Sequence, residues 1–241
     1  LIALDQDTAA PQAYVVHRMG DAYVLVRDVE KPFGTKRAVA FVNLGDKPCE
    51  MSISAREIDL AGIDRTRSVT PSNGEVAEWF PQEDGRRINM GAIPAHGTRV
   101  CLVETATRLE RELYEAETAF LPIYQELHDA KKAKTAYYEK NDKASGGMVV
   151  AGAGGRRGNT IVWERVWSEK GGKYAMTVRT IGEGGAVFAR VSGTVAQGTP
   201  KDGVGAEFCV TLKPGLNEVC LFNDFEPLPA IDVMTLERKA Q

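Results

Sequence analysis

Short apolar runs cut by backbone-turning residues set the limits on what this chain can fold into. Tyr23-Val24-Leu25-Val26, Ala38-Val39-Ala40-Phe41-Val42, Met51-Ser52-Ile53 and Arg99-Val100-Cys101-Leu102-Val103 follow one another with Gly, Pro, Asn and Asp between them. The rhythm returns at Thr160-Ile161-Val162-Trp163, Tyr174-Ala175-Met176-Thr177-Val178, Ala186-Val187-Phe188-Ala189, Glu207 to Leu212 and Glu218 to Phe222. Runs this short, rich in β-branched and aromatic residues and closely spaced, are the pattern of antiparallel sandwiches rather than of helices. Asn43-Leu44-Gly45-Asp46 and Pro94-Ala95-His96-Gly97 read as turns, and Lys213-Pro214-Gly215-Leu216 as a tight connection. The expected class is therefore all-β.

One stretch breaks the rhythm. Residues 105 to 140 are rich in Ala, Glu, Lys and Leu, and Leu109, Leu113, Ala116 and Phe120 recur at helical spacing. Periodicity alone predicts a short helical linker or insert there. A chain of 241 residues exceeds the usual single domain, so two domains of roughly 100 to 130 residues are expected. The divisions are 1–12 as the end of a preceding domain, 13–104 as an antiparallel β-sandwich, 105–112 as a linker and 113–241 as a β-jelly roll. The opening Leu1-Ile2-Ala3-Leu4, without Met, reads as the interior of something longer.

The formal net charge of −3 gives no broad attraction to nucleic acid or anionic lipid. The short cluster Lys131-Lys132-Ala133-Lys134 lacks interleaved aromatics and reads as a solvated face. No apolar run reaches the roughly 18 residues that cross a bilayer, and the N-terminus has neither a basic nor an apolar leader segment. Cys49, Cys101, Cys209 and Cys220 have no metal spacing. A hairpin at Lys213 to Leu216 would set Cys209 opposite Cys220, within reach of a cross-strand bridge, although buried free thiols are the commoner outcome. His17, His96 and His128 show no ligand spacing and no nucleophile partner, and read as structural.

Carboxylates mark both ends of the later domain, in Tyr114-Glu115-Ala116-Glu117 and in Asn223 to Asp232. When first and last strands lie together, acids far apart in sequence meet, and a hard cation such as calcium takes several oxygens at once. The alternative is that each acid is a solvated side chain on an alternating strand.

Residues 113 to 238 resemble carbohydrate-binding modules of family 35 and their family 6 relatives. The resemblance rests on Tyr114-Glu115-Ala116-Glu117, Ala144-Ser145-Gly146-Gly147-Met148, Gly171-Gly172-Lys173-Tyr174 before a strand, and Leu228-Pro229-Ala230-Ile231-Asp232, in that order. It implies a β-jelly roll in which Glu115, Glu117 and Asp232 hold a structural calcium, with Tyr114 to Glu117 as a strand and any helix confined to Pro122–His128. The first half is similar to the C-terminal β-domain of family 27 glycoside hydrolases, the α-galactosidases. Leu1 to Asp7 resembles the close of their barrel, Ala38 to Gly45 a strand and turn, and Ile93 to Leu102 the closing strand, with Arg67-Ser68-Val69 standing where that family often carries Arg-Asp-Leu-Trp. Together the two imply a secreted, periplasmic or cell-surface glycosidase fragment whose partners are a galactose-containing glycan and an N-terminal catalytic barrel.

Catalytic residues are not expected in this piece. Retaining glycosidases need two carboxyls about 5 Å apart across the scissile bond. The resemblance places that pair on barrel strands, and no such segment occurs here; nor is there the basic and aromatic constellation of a β-sandwich lyase. Asn223 and Phe225, in the loop after the penultimate strand, are candidate sugar contacts, since an amide pairs with hydroxyls and an aromatic face covers the C–H side of a pyranose. The alternatives are that Asn223 caps a turn and Phe225 is core. Ala151 to Asn159 is too Gly-rich for a strand and lacks the spacing and following helix of a phosphate loop, so it reads as a flexible rim loop offering Arg156 and Asn159 to sugar. Trp163 and Trp167 read as core. The competing function is a purely structural pair of β-domains with no sugar site.

Overall fold

The computed structural model describes residues 13–30, 33–68, 80–81, 85–124, 132 and 134–239. Among these residues the chain is all-β, in two compact units, 1–109 and 110–241. The expected barrel remnant at 1–12, His128, Lys131 and Ala133 lie outside the described residues. None of the described helical turns is long and apolar enough to cross a membrane.

The first unit contains β1 (Tyr14–Met19), β2 (Ala22–Asp28), β3 (Lys36–Asn43), β4 (Cys49–Ser54), β5 (Arg65–Ser68), β6 (Phe80–Pro81), β7 (Arg87–Ile93) and β8 (Thr98–Glu104). Among the described residues these form an antiparallel sheet in the order β1-β2-β3-β8-β5-β6 and a separate pair, β4-β7. Alternation in β2 buries Ala22, Val24 and Val26, which join Val39, Phe41, Met51, Ile53, Ile93 and Val103 in one core. Both expected turns form. Asn43 ties them together: its amide donates to the carbonyls of Lys47, Ile93 and Pro94 and accepts from Gly45 N–H.

A buried ionic cluster stands where alternation alone would place an apolar residue. Arg37 on β3 is fully buried, with Nε 3.2 Å from Asp28 and Nη1 2.9 Å from Asp59. Its other donors meet Ile58 O and the Tyr14 hydroxyl, each at 2.5 Å. Arg108 completes the cluster, 2.6 Å from Asp28 and stacked over Phe33. Burial alone would lower the Arg37 pKa, but the Tyr14 hydroxyl and the two aspartates outweigh it and hold the guanidinium charged.

That cluster also decides the boundary. The stretch expected as a linker, 105–112, is divided between the units. Arg108 and Leu109 belong to the first, Leu109 N–H donating to Asp59 O. Glu110 belongs to the second, where its carboxylate accepts from the Tyr174 hydroxyl and from Arg238.

The second unit comprises β9 (Leu113–Glu115), β10 (Tyr137–Lys140), β11 (Met148–Ala151), β12 (Ile161–Ser168), β13 (Gly172–Ile181), β14 (Phe188–Val191), β15 (Thr194–Gln197), β16 (Thr199–Lys201), β17 (Gly205–Leu212), β18 (Gly215–Phe222) and β19 (Ala230–Arg238). One sheet runs β10-β11-β19-β13-β17-β16, with β9 also on β19; the other runs β12-β18-β14-β15. Inward residues of both sheets, among them Tyr174, Met176, Val178, Phe208, Val210, Ala189, Val219 and Leu221, form one core, as a sandwich requires.

Three expectations change here. The helical stripe that periodicity marks through Leu109, Leu113, Ala116 and Phe120 is not a helix: Leu113–Glu115 is a strand, as the resemblance implied for Tyr114 and Glu115, and Ala116–Thr118 is a single 3-10 turn where it implied more strand. Pairing with β19 satisfies the backbone at Tyr114 and Glu115 and accompanies the burial of Tyr114. Residues 125–128 of the expected Pro122–His128 helix lie outside the described residues. The Lys213 to Leu216 connection is no hairpin, because β17 and β18 lie in different sheets. Cys209 is accordingly exposed and Cys220 buried, both as free thiols, with burial raising the Cys220 pKa. Finally, Trp163 is core while Trp167 is half-buried, because a bulge between Trp163 and Val166 breaks the alternation of β12.

Candidate functional site

The expected acids are gathered at one corner of the second unit. Register does this: Glu115 on β9 pairs with Val233 on β19, placing it beside Asp232, and the 3-10 turn carries Glu117 two residues on. Asp232 is fully buried and Glu117 almost so. The turn leading into β11 closes the corner. Ser145 N–H donates to Asp232 Oδ1 at 2.9 Å. The Ser145 hydroxyl lies 2.7 Å from Glu115 Oε2 and 3.1 Å from Asp232 Oδ1, with one proton to give. The other Asp232 oxygen is held by the Arg179 guanidinium from β13.

Gly146 is required by this packing. A methyl group there would stand 2.2 Å from Glu117 Oε1 and 3.3 Å from the Glu115 carboxyl carbon. The Ala-Ser-Gly-Gly-Met segment is thus a lid whose hydroxyl and missing side chain admit three carboxylates. The donors are hard oxygens, the chemistry that suits calcium. They surround Ser145 and Gly146 rather than a shared point: among the described residues, no three His, Cys, Asp or Glu side chains stand arranged as ligands of one ion.

A second feature lies where loops leave the strands. Loop 152–159 follows β11, and its backbone docks on the segment before β19: Gly155 N–H donates to Asn223 O and Glu226 O, and Leu228 N–H to Ala153 O. Gly154 and Pro227 form a bridge. Segment 184–186 joins them through Gly185 N–H to Pro227 O, 2.8 Å. The loop expected to be flexible is therefore tied on both sides. No helix follows it, which rules out a phosphate cradle of the strand-loop-helix type.

The four candidate sugar contacts on this rim separate sharply. Phe225 is 90% exposed, so it is not core. Arg156 is exposed on the docked loop. Asn223 is buried and caps the turn, its Oδ1 accepting from Phe225 and Glu226 N–H and its Nδ2 donating to Ala186 O. Asn159 is fully buried, accepting from Ala136 N–H and donating to Gly152 O and Gly154 O. Sequence reasoning missed Ser145, Gly146 and Arg179 as partners of the acids. Ser145 and Gly146 lay inside a quoted motif, but only the fold places them against Glu115 and Asp232. His17 lies 3.3 Å from Glu57 and His96 3.1 Å from Asp46, both as ordinary surface pairs.

No family model and no curated protein matches the chain. Solved structures do. A family 35 carbohydrate-binding module from Clostridium thermocellum is 21% identical with a TM-score of 0.41, over 52% of this chain and 96% of that one. An Arthrobacter globiformis isomalto-dextranase complexed with panose is 15% identical with a TM-score of 0.49, over 88% of this chain and 36% of that one. α-Galactosidase I from Mortierella vinacea is 20% identical with a TM-score of 0.35, over 45% of this chain and 27% of that one. The chain thus spans about a third of the isomalto-dextranase's length and about a quarter of the α-galactosidase's, and its likeness to these carbohydrate-active proteins is a coarse one, of fold alone.

Proposed function

We propose that the second unit binds glycan on the rim formed by loops 152–159, 182–187 and 223–229, with Phe225 as the stacking platform and Arg156 reaching ring hydroxyls. The observation that carries this reading is Phe225 itself, an aromatic ring 90% exposed on a turn held from beneath by Asn223. An aromatic face held this open on an ordered turn is free to stack on the C–H side of a pyranose. The sequence resemblance adds the finer reading: the ligand contains galactose, the first unit is the β-domain of a secreted α-galactosidase-like hydrolase with its barrel upstream, and Glu115, Glu117 and Asp232 would hold a calcium ion by turning from Ser145, Gly146 and Arg179 toward a shared point. In that reading the part played by these two units is recognition. Millimolar affinity, about 4 kcal/mol, suffices when the module is tethered to its enzyme.

Isothermal titration with raffinose and galactomannan oligosaccharides tests it, with cello-oligosaccharides as the control. If a sugar covers about 80 Å² of apolar surface at Phe225, Phe225→Ala loses about 2 kcal/mol, roughly thirtyfold in affinity. The competing reading, two scaffold domains with no sugar site, draws on the commitment of Asn159 and Asn223 to backbone partners. It wins if the parent chain binds none of these sugars.

A further inference from the structure

Resting on the reading of this rim as a glycan site, we infer that Asn223 and Asn159 are positioning residues: they touch no sugar, but lock three loops so that Phe225 stands in place before a ligand arrives. A side-chain amide has two N–H donors and an oxygen that accepts twice. Asn159 uses both N–H groups, at 2.7 Å to Gly152 O and 2.7 Å to Gly154 O, and its oxygen takes Ala136 N–H at 2.8 Å. Asn223 fills its oxygen with the N–H groups of Phe225 and Glu226, each at 3.0 Å, and donates to Ala186 O at 2.9 Å. With Asn159 0% and Asn223 3% exposed, neither amide reaches a ligand in solvent.

The neighbouring glycines show how closely the loops are fitted. A methyl group on Gly185 would stand 2.6 Å from Glu226 Cβ and 3.1 Å from Asn223 Nδ2; one on Gly184 would stand 2.2 Å from Pro229 N. The Phe225 turn is therefore clamped from the 184–186 side by Asn223 Nδ2 and from the 152–159 side by backbone bonds that Asn159 shapes. Ordering a loop at the moment of binding subtracts from affinity, so a turn ordered in advance raises it. The consequence is a buried side chain that controls affinity without contact.

Two substitutions divide the roles of Asn223. Asn223→Ala removes all three bonds. Asn223→Asp keeps the acceptor for Phe225 and Glu226 N–H but loses donation to Ala186 O, so it lowers thermal stability while leaving the Phe225 turn formed. Titration with raffinose should show roughly tenfold weaker binding for the Ala variant and binding within about threefold of the parent for the Asp variant, tenfold being the effect of about 1.4 kcal/mol. Amide hydrogen exchange at Phe225 and Glu226 should speed up in the Ala variant alone. Affinities that follow the melting temperatures of both variants, or an Ala variant that binds like the parent, overturn the inference. If the parent binds no sugar while Phe225 and Glu226 exchange faster in the Ala variant, the glycan reading fails and the lock stands; unchanged exchange in that variant overturns the lock itself.

Discussion

Arg179→Met is the most informative perturbation of the acidic corner. Asp232 is 0% exposed, and its Oδ2 is held by a guanidinium whose side chain is 40% exposed. Breaking a fully buried pair costs about 3–5 kcal/mol, and a charge-assisted hydrogen bond is worth about 1.5–3. Because the arginine is partly in water, the lower part of that range applies, about 2 kcal/mol, which for a unit of this size lowers its melting temperature by about 8 °C. Under the calcium proposal the ion supplies the positive charge that the variant lacks, and at a hundredfold excess over its dissociation constant it adds about 2.7 kcal/mol. Calorimetry on parent and variant, each in chelator and in calcium, should then show a gap in chelator that closes in calcium. Asp232→Asn in the variant background is the control: with the charge gone, Arg179→Met should cost little. An equal gap in both buffers refutes calcium at Asp232. No gap in chelator refutes the importance of the ion pair.

The first unit offers two further tests. Arg37→Met leaves Asp28 and Asp59 buried with only part of their compensation, and urea denaturation should show a loss of about 3–5 kcal/mol; Arg37→Lys recovers only part of it, because an ammonium cannot reproduce the fork to Asp28, Asp59 and Tyr14. Burial pushes the Glu57 carboxyl up, but hydrogen bonds from His17 and Ser54 outweigh that and depress it from 4.5 to about 2. A depressed carboxyl stabilises the fold above its unfolded pKa and loses that contribution as pH falls through the folded value, so the parent should lose more stability than Glu57→Gln between about pH 4.5 and 2. Parallel acid limbs for the two proteins would count against it.

Much of the fold could be read from local pattern. The alternation of β2 and β13 is in the sequence, and so are the turns at Asn43-Leu44-Gly45-Asp46 and Pro94-Ala95-His96-Gly97, because each depends on neighbours a few residues away. The error at Leu109 to Phe120 shows the limit. Four apolar residues at helical spacing imply one buried face, yet Leu113 is 47% and Phe120 53% exposed while Tyr114, off that face, is buried. The competing term was the open edge of β19, invisible in the local window. Cys209 and Cys220 are free thiols, the commoner of the two expected outcomes, but the hairpin that would have set them opposite one another failed likewise, since nothing in Pro214-Gly215 says whether the next strand returns beside the last or crosses to the other sheet.

The candidate site divides along the same line. That Glu115, Glu117 and Asp232 come to one corner followed from first and last strands pairing, while Ser145, Gly146 and Arg179, which stand between them, came only with the fold. Whether Asn223 and Asn159 point outward or inward depends on carbonyls at Ala186, Gly152 and Gly154, supplied by loops that only the fold assembles. Arg37 was illegible for a related reason: its compensation comes from Asp28, Asp59, Tyr14 and Arg108, and no single window contains them.

The acidic corner and the rim are joined by two paired strands. β11 runs from the Ser145–Gly146 turn to loop 152–159, and β19 begins two residues before Asp232, just after the Phe225 turn, the two being paired at Val150 and Ile231. Whatever fixes Asp232, whether Arg179 or an ion, therefore also fixes the roots of two of the loops that hold Phe225. If order at the corner spares order that a ligand would otherwise impose at the rim, reciprocity requires that a ligand at the rim favour the ordered corner by the same free energy. The acids that first distinguished this part of the sequence and the aromatic ring that would meet the sugar are in that sense one device, with Asp232 closing one end and Asn223 setting the other.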